Sequence, residues 1–510
     1  MAADGEEEKK QNMVMLRSRD GMEFVVPELE ASQSLIIQDN LKYDCANYII
    51  PSDGDRTKYK PIRLPVHCNT LSKVIHYCQK HASGHDPDWD AEFLTRVDNE
   101  TLYDLILASH YLQIRELIGL LCHSIACKIK GKSPSEICNI FSIKSVFTPE
   151  SDEETIAQRS QHSCTSPQSL VGVPILPVEK PCLTELELEE KALRALHVVR
   201  SQDFTKYDPK LNGFVCNRFN LYNIALFNHD EESNFCRGPP LHKIPSPMRG
   251  SIVRCVNVIS VKVQESDVGF PVNVFGTIVA RDEVDYRCVY LFRRERDDPQ
   301  LIRSQDDILS LIDPCRALVP TDQIYFEFDL KIRCDGGATK DFSKGVVLFN
   351  WARLPTGKET AATNLWRISW LSRMELSCAL VYHPVEATVA INILKGPCNL
   401  SKVYASTPGN FKDHIILYEA AAATQTVLGE GASVPLTRSV IAVSLDQKLA
   451  LFFVGGDVFE HLVLALGHSD EVIYRKMGSA QLEVKVTWTA VQTRQRSGLF
   501  KRVGNQRLLL

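Results

Sequence analysis

The chain has 510 residues, 44% of them hydrophobic and 24% charged, enough for about three domains of ~150 residues and too apolar for wholesale disorder. Its 58 basic and 63 acidic residues leave a net charge of −5. That balance argues against a dedicated binder of nucleic acid or of an anionic membrane, because phosphate contact needs a basic face.

The charge is uneven: residues 1–160 hold 25 acidic and 18 basic residues, residues 161–510 hold 38 and 40. Two different surfaces are therefore expected on one chain. Residues 1–12, MAADGEEEKKQN, are acidic and polar, so they read as a disordered N-terminus and not as a secretory signal or mitochondrial leader. No apolar run approaches the ~18 residues of a spanning helix. The nucleus and cytoplasm are the expected compartments. The 16 cysteines then read as reduced side chains, and none forms a Cys-x-x-Cys pair.

Residues 13–160 mix a small sheet with helices. VMLRSRDGMEFVV carries two β-favouring runs around Asp20-Gly21, the pattern of a hairpin. Leu71, Val74, Ile75 and Cys78 recur at helical spacing, and Ile114, Leu117, Ile118, Leu121, Ile125 and Ile129 form a longer stripe ending near Gly131. Ser133, Pro134 and Glu136 spell an N-cap, a first-turn proline and a capping box, and Thr148-Pro149 repeats the device before four acidic residues. Residues 161–181 hold Pro167, Pro174, Pro177 and Pro181 among serines and glycine, and read as an extended linker. Residues 182–510 begin with a helix over Leu183–Val199. Some ten period-two stretches follow, among them Ile252–Val263, Val272–Val279, Ile324–Ile332, Ala387–Leu394, Val440–Leu445, Leu449–Val454 and Leu482–Trp488. The fold class is multi-domain: an α/β module, then a larger, mainly antiparallel β domain, sandwich or barrel.

Few residues call for chemistry. Lys130–Ser133 (KGKS) lacks the earlier glycine of a phosphate loop, since Ala126 stands there inside a helix. His76, Cys78, His81 and His85 are metal-ligand types, but Cys78 lies on the apolar stripe and His81 does not share a face with it. No nucleophile elbow, His-Glu-x-x-His helix or dinucleotide turn is present. The run Arg281–Arg287 (RDEVDYR) places carboxylates beside an aromatic, and reads as a solvated turn with local ion pairs. No catalytic residue, metal or cofactor is expected. What remains is binding: the stripe Ile114–Ile129 with Ile137, Phe141, Ile143 and Phe147 holds more apolar surface than a small sheet covers. It is either an exposed partner site or an ordinary core.

Residues 13–160 resemble the SKP-type adaptor of SCF (Skp–cullin–F-box) ubiquitin ligases. The match runs in order through LRSRDGMEFVV (Leu16–Val26), IRLPV (Ile62–Val66), LSKVIHYCQKH (Leu71–His81), WDAEFL (Trp89–Leu94), TLYDLILASHYLQI (Thr101–Ile114) and IKGKSPSEICNIFSIKSVFTPE (Ile129–Glu150). The resemblance implies a BTB/POZ-like module with C-terminal helices that hold an F-box. Its partners are a cullin scaffold and F-box proteins, with a RING subunit and ubiquitin-conjugating enzyme reached indirectly. His110 and Tyr111 fall at the implied cullin face; Leu117, Ile129, Ile137, Phe141, Ile143 and Phe147 fall in the helices of the implied F-box surface. The sequence departs from the family at His110, where asparagine is usual, at Gln113, where Asp or Asn is usual, and at Cys138, where arginine is usual. The loop Lys42–Lys60 is longer than typical, and Gln161-His162-Ser163 stands where a tryptophan is expected.

Residues 182–510 are similar to a grass-expanded plant domain of unknown function, through RFNLYNIALFNHDEES (Arg218–Ser233), GPPLH (Gly238–His242), Val256–Arg294 and IYFEFDLKIR (Ile324–Arg333). Some members of that family accompany ribosome-inactivating N-glycosidases, but Tyr418–Thr426 lacks the Glu-Ala-x-Arg arrangement of that activity. The combined expectation is an adaptor bridging cullin and an F-box receptor, with residues 1–163 folding and binding the F-box without the rest. The alternative is a diverged paralogue whose main activity is ligand or partner binding by the β domain, possible in defence.

Overall fold

A computed structural model describes residues 12–50, 60–82, 84–144, 184–244, 254–320, 323–350, 362–407, 410–420, 427–456, 458–466 and 470–491. Phe147, the Thr148-Pro149 helix start and the proline-spaced stretch 161–181 lie outside these residues. The chain divides into two units. One runs up to Asp203 and takes in Asn220–Asn228; the other holds Phe204–Phe219 and, among the described residues, the chain from His229 to Val491.

The first unit opens with the hairpin expected from its turn pair. β1 (Met13–Arg17) and β2 (Glu23–Pro27) are antiparallel, Val14 opposite Val26 and Leu16 opposite Phe24, and Gly21 takes the positive φ of 89° that the turn requires. After α1 (Glu28–Ala31) and α2 (Leu35–Tyr48), β3 (Ile49–Ile50) and β4 (Ile62–Arg63) complete the sheet on β1. Residues 42–48, assigned from sequence to a long loop, therefore continue a helix. α3 (Cys68–His81) buries Leu71, Val74 and Cys78. α4 (Pro87–Thr95) and α5 (Asn99–Leu112) start on the aspartate caps Asp86 and Asp98, whose carboxylates accept first-turn N–H groups.

α6 (Arg115–Ile129) carries the long stripe inward, with Ile114 as its N-cap residue. α7 (Pro134–Ile140) opens on the capping box: Ser133 Oγ accepts from Glu136 N at 3.4 Å, and Glu136 Oε2 accepts from Ser133 N at 2.8 Å. α8 (Glu185–Asp203) repeats the reciprocal pair with Thr184 and Glu187.

The sequence puts α8 at the head of the β-rich region. The structure puts it in the first unit, packed on α5 and α6. Its Ala192, Ala195, Leu196 and Val199, at i, i+3, i+4 and i+7, join the core that holds Leu117, Leu121, Ile125 and Ile137. The cause is geometric: the stripe on α6 is wider than the small sheet covers, and a second amphipathic helix closes it. Burying Leu196 and Val199 contributes roughly 1.5–3 kcal/mol each. The core of this unit therefore extends past residue 163.

The second unit is built of antiparallel sheets. β5 (Thr205–Asp208) and β6 (Gly213–Cys216) pair alone. β7 (Arg254–Ser266), β8 (Val272–Arg281), β9 (Val289–Arg294), β10 (Gln300–Ile302), β11 (Gln323–Arg333), β12 (Thr339–Asn350), β13 (Thr363–Ser369) and β14 (Ser372–Tyr382) form two sheets. Their orders are β10-β8-β11-β12, with β9 also on β8, and β13-β14-β7. One core draws on both, with Val261, Ile278, Phe326, Phe342 and Met374. β15 (Pro384–Lys395), β16 (Lys402–Thr407), β17 (Asn410–Glu419), β18 (Val440–Ser444), β19 (Leu449–Gly455), β20 (Val458–Leu464), β21 (Glu471–Met477) and β22 (Ala480–Ala490) form two more. These run β18-β15-β22-β21 and β17-β16-β19-β20 around Ile391, Val403, Phe453 and Trp488. No sheet closes into a barrel among the described residues, so of the two expected architectures the open, layered one stands.

Candidate partner-binding surfaces

The end of α5 presents one surface. The helix buries Leu105, Ile106, Ser109 and Leu112, which turns Tyr111 outward with 43% of its surface exposed. His110, also exposed, precedes it. Gln113 ends the helix in the left-handed region at φ 53°, a conformation that asparagine tolerates better than glutamine. Gln113 also borders an open cavity of about 410 Å³, with Leu29, Leu35, His81, Arg115 and Glu116. Protein atoms around the ring partly desolvate the His110 imidazole and hold it below its ordinary pKa, although the residue reaches the surface. His197, on α8, is held low by burial and then by the positive charge His110 would carry.

The second expected surface is covered. Leu117, Ile129, Ile137, Phe141 and Ile143 are all buried, in one core with Leu196, Val199, Ile224 and Ala225. Phe141 lies 6.2 Å from the Tyr103 ring, centroid to centroid. Of the two readings left open by periodicity, ordinary core is the one observed, and the cover comes from the chain itself. Polar ties accompany it. Lys191 Nζ reaches Asp104 at 2.8 Å and Glu100 at 3.8 Å on α5. Glu189 accepts from Lys144 N at 2.7 Å, and Glu185 from Lys144 Nζ at 2.6 Å. Cys138, at 1% exposure, donates its thiol to Ala225 O at 3.2 Å; burial, and then Glu189, push its pKa up to about 11. Sequence reasoning missed α8 and Asn220–Asn228 as part of this surface. The signal was the four-residue stripe on a helix with little else to bury it against.

The remaining candidates resolve into structure. Cys78 is in the core and His76 sits edge-on to Trp89, so the four metal-ligand types do not converge. Instead His81 Nε2 lies 2.9 Å and His85 Nδ1 3.3 Å from the two oxygens of buried Asp90, three groups that could hold an ion but that also tie α3 to α4. Asp20, His67 and Cys68 form a second, exposed group of the same kind, in which Asp20 accepts from Cys68 N at 2.9 Å. In the second unit RDEVDYR is no solvated turn. Arg281 and Asp282 are 0% exposed. Arg281 donates to Glu327 at 2.9 Å and His229 O at 2.6 Å, while Arg316 donates to Asp282 at 2.8 Å. Ser233 Oγ donates to Asp285 at 2.8 Å. Paired and buried, these groups hold loops together and lie out of a substrate's reach.

Against known proteins, residues 115–162 match the model described as "Skp1 family, dimerisation domain", and residues 255–486 match "Domain of unknown function (DUF6598)". SKP1-like protein 1 of Oryza sativa subsp. japonica is 41% identical over 180 residues, 30% of this chain and 94% of that protein. The chain belongs to the SKP1-like family. SKP1-like protein 1A of Arabidopsis thaliana is 37% identical over 157 residues, 28% of this chain and 91% of its own length. SKP1-like protein 20 of rice is 39% identical over 181 residues, 30% and 94% respectively. The SKP1-like part is thus nearly a whole family member with a second domain following it. The family's members serve SCF ubiquitin ligases as adaptors without catalysis, and cullins and F-box proteins are the kinds of partner it implies.

Proposed function

We propose that the chain is a non-catalytic adaptor subunit of an SCF-type cullin ubiquitin ligase, bridging the cullin scaffold and an F-box receptor for ubiquitin-dependent degradation in the nucleus and cytoplasm. The observation that carries this reading is the 41% identity over 94% of a SKP1-like relative. In it, His110 and Tyr111 meet the cullin, and Leu117, Ile129, Ile137, Phe141, Ile143 and Phe147 serve the F-box. The RING subunit and conjugating enzyme are reached only through the cullin. Such a subunit acts by positioning, raising the effective concentration of substrate lysines near the charged enzyme.

Tyr111 supports the cullin half, because a large amphipathic ring held at a helix end is a common interface anchor. Titrating the full chain against a purified plant cullin tests it. Tyr111→Ala should weaken binding by about 1–3 kcal/mol on the hot-spot scale and leave the thermal midpoint unchanged. No binding by the unaltered chain, or unchanged affinity in the variant, contradicts the assignment.

A further inference from the structure

We propose that α8 together with Asn220–Asn228 is a built-in occupant of the receptor face, which closes the chain to F-box proteins until that helix is displaced. The inference rests on the adaptor reading above, in that it takes the helices α6–α7 as the face an F-box would use. Three observations place the occupant there. Ala192, Ala195, Leu196 and Val199 lie in the same core as Leu117, Ile137 and Phe141, so the apolar groups that would grip a partner already have one. Polar ties from the first turns of α8 hold the contact, Lys191 on Asp104 and Glu100 and Glu185 and Glu189 on Lys144. The segment Asn220–Asn228 closes the seam: Asn223 Nδ2 donates to Leu193 O, and Ala225 O accepts the Cys138 thiol.

An occupant on the same chain competes with the advantage of tethering. Tethering on one chain gives an effective concentration up to the millimolar range, so a cis contact of micromolar intrinsic affinity suppresses a free competitor by up to ~1000-fold. Loss of the tether removes that advantage without touching the contact. A polar group on the α8 stripe removes the contact and leaves the tether.

The experiment places a specific protease site within residues 161–181 of the full chain and measures capture on an immobilised plant F-box domain. Capture is compared before cutting, after cutting, and for uncut Leu196→Asp, with circular dichroism and cullin binding recorded for each. The cut chain keeps every core side chain, so it guards against a variant that fails to fold. Expected are weak capture of the intact chain, at least tenfold stronger capture after cutting, with the α8-bearing fragment released, and a gain of the same order in folded Leu196→Asp. Equal capture of intact and cut chains overturns the occupant while leaving the adaptor reading in place. Absence of capture in every form, with cullin binding retained, overturns the assignment of this face to an F-box and this inference with it. Loss of cullin binding in the intact chain counts against the adaptor reading alone.

Discussion

His110 and His197 sit near enough that a charge on one disfavours a charge on the other, and they join the proposed cullin face to the helix that covers the receptor face. Both imidazoles are held below the ordinary value of about 6.5. The folded state thus binds fewer protons than the unfolded chain near that pH. Their contribution is full above about 6.5 and is lost as pH falls toward the lowered folded values. Stability of the first unit should therefore drop as pH falls below about 6.5. His197→Gln should flatten that slope in chemical denaturation monitored at each pH; the same slope in the variant would assign the effect to other groups. Neither histidine was marked as paired by the sequence, because 87 positions separate them and only folding brings them together.

At the level of elements, what was legible had a local cause. The β1–β2 turn is written in Asp20-Gly21, the start of α7 in Ser133 and Glu136, and most long strands in their alternation, with bounds that differ from the observed ones by at most three residues. What was not legible depended on distant partners. Periodicity shows that α6 has a wide apolar face but not that α8 covers it, and RDEVDYR pairs with Arg316 and Glu327, far along the chain. The candidate site inherits the same limit: Tyr111 is exposed, whereas Ile137, Phe141 and Ile143 are core. Phe141→Ala should accordingly cost about 3–5 kcal/mol of stability in the full chain, the usual scale for a buried aromatic. A thermal or denaturant midpoint within experimental error of the unaltered protein would show that Phe141 is not held as described. A loss of F-box binding in a polar variant here would report on folding as much as on contact.

For the molecule as a whole, the SKP1-like part and the β-rich part are each built around their own apolar clusters. Among the described residues the chain passes between them at 203–204, 219–220 and 228–229, so the first unit takes in sequence from beyond residues 161–181. A family member of ordinary length would end before α8 begins; this one takes α8 and Asn220–Asn228 into its core. That completion in cis is the central claim, and amide hydrogen exchange on the intact chain tests it most directly. If α8 is part of the first unit's core, the amides of residues 190–200 should exchange far more slowly than those of an isolated helix, with α5 and α6 protected as well. Rapid exchange across residues 190–200, at the rate of an isolated helix while α5 and α6 stay protected, would contradict it.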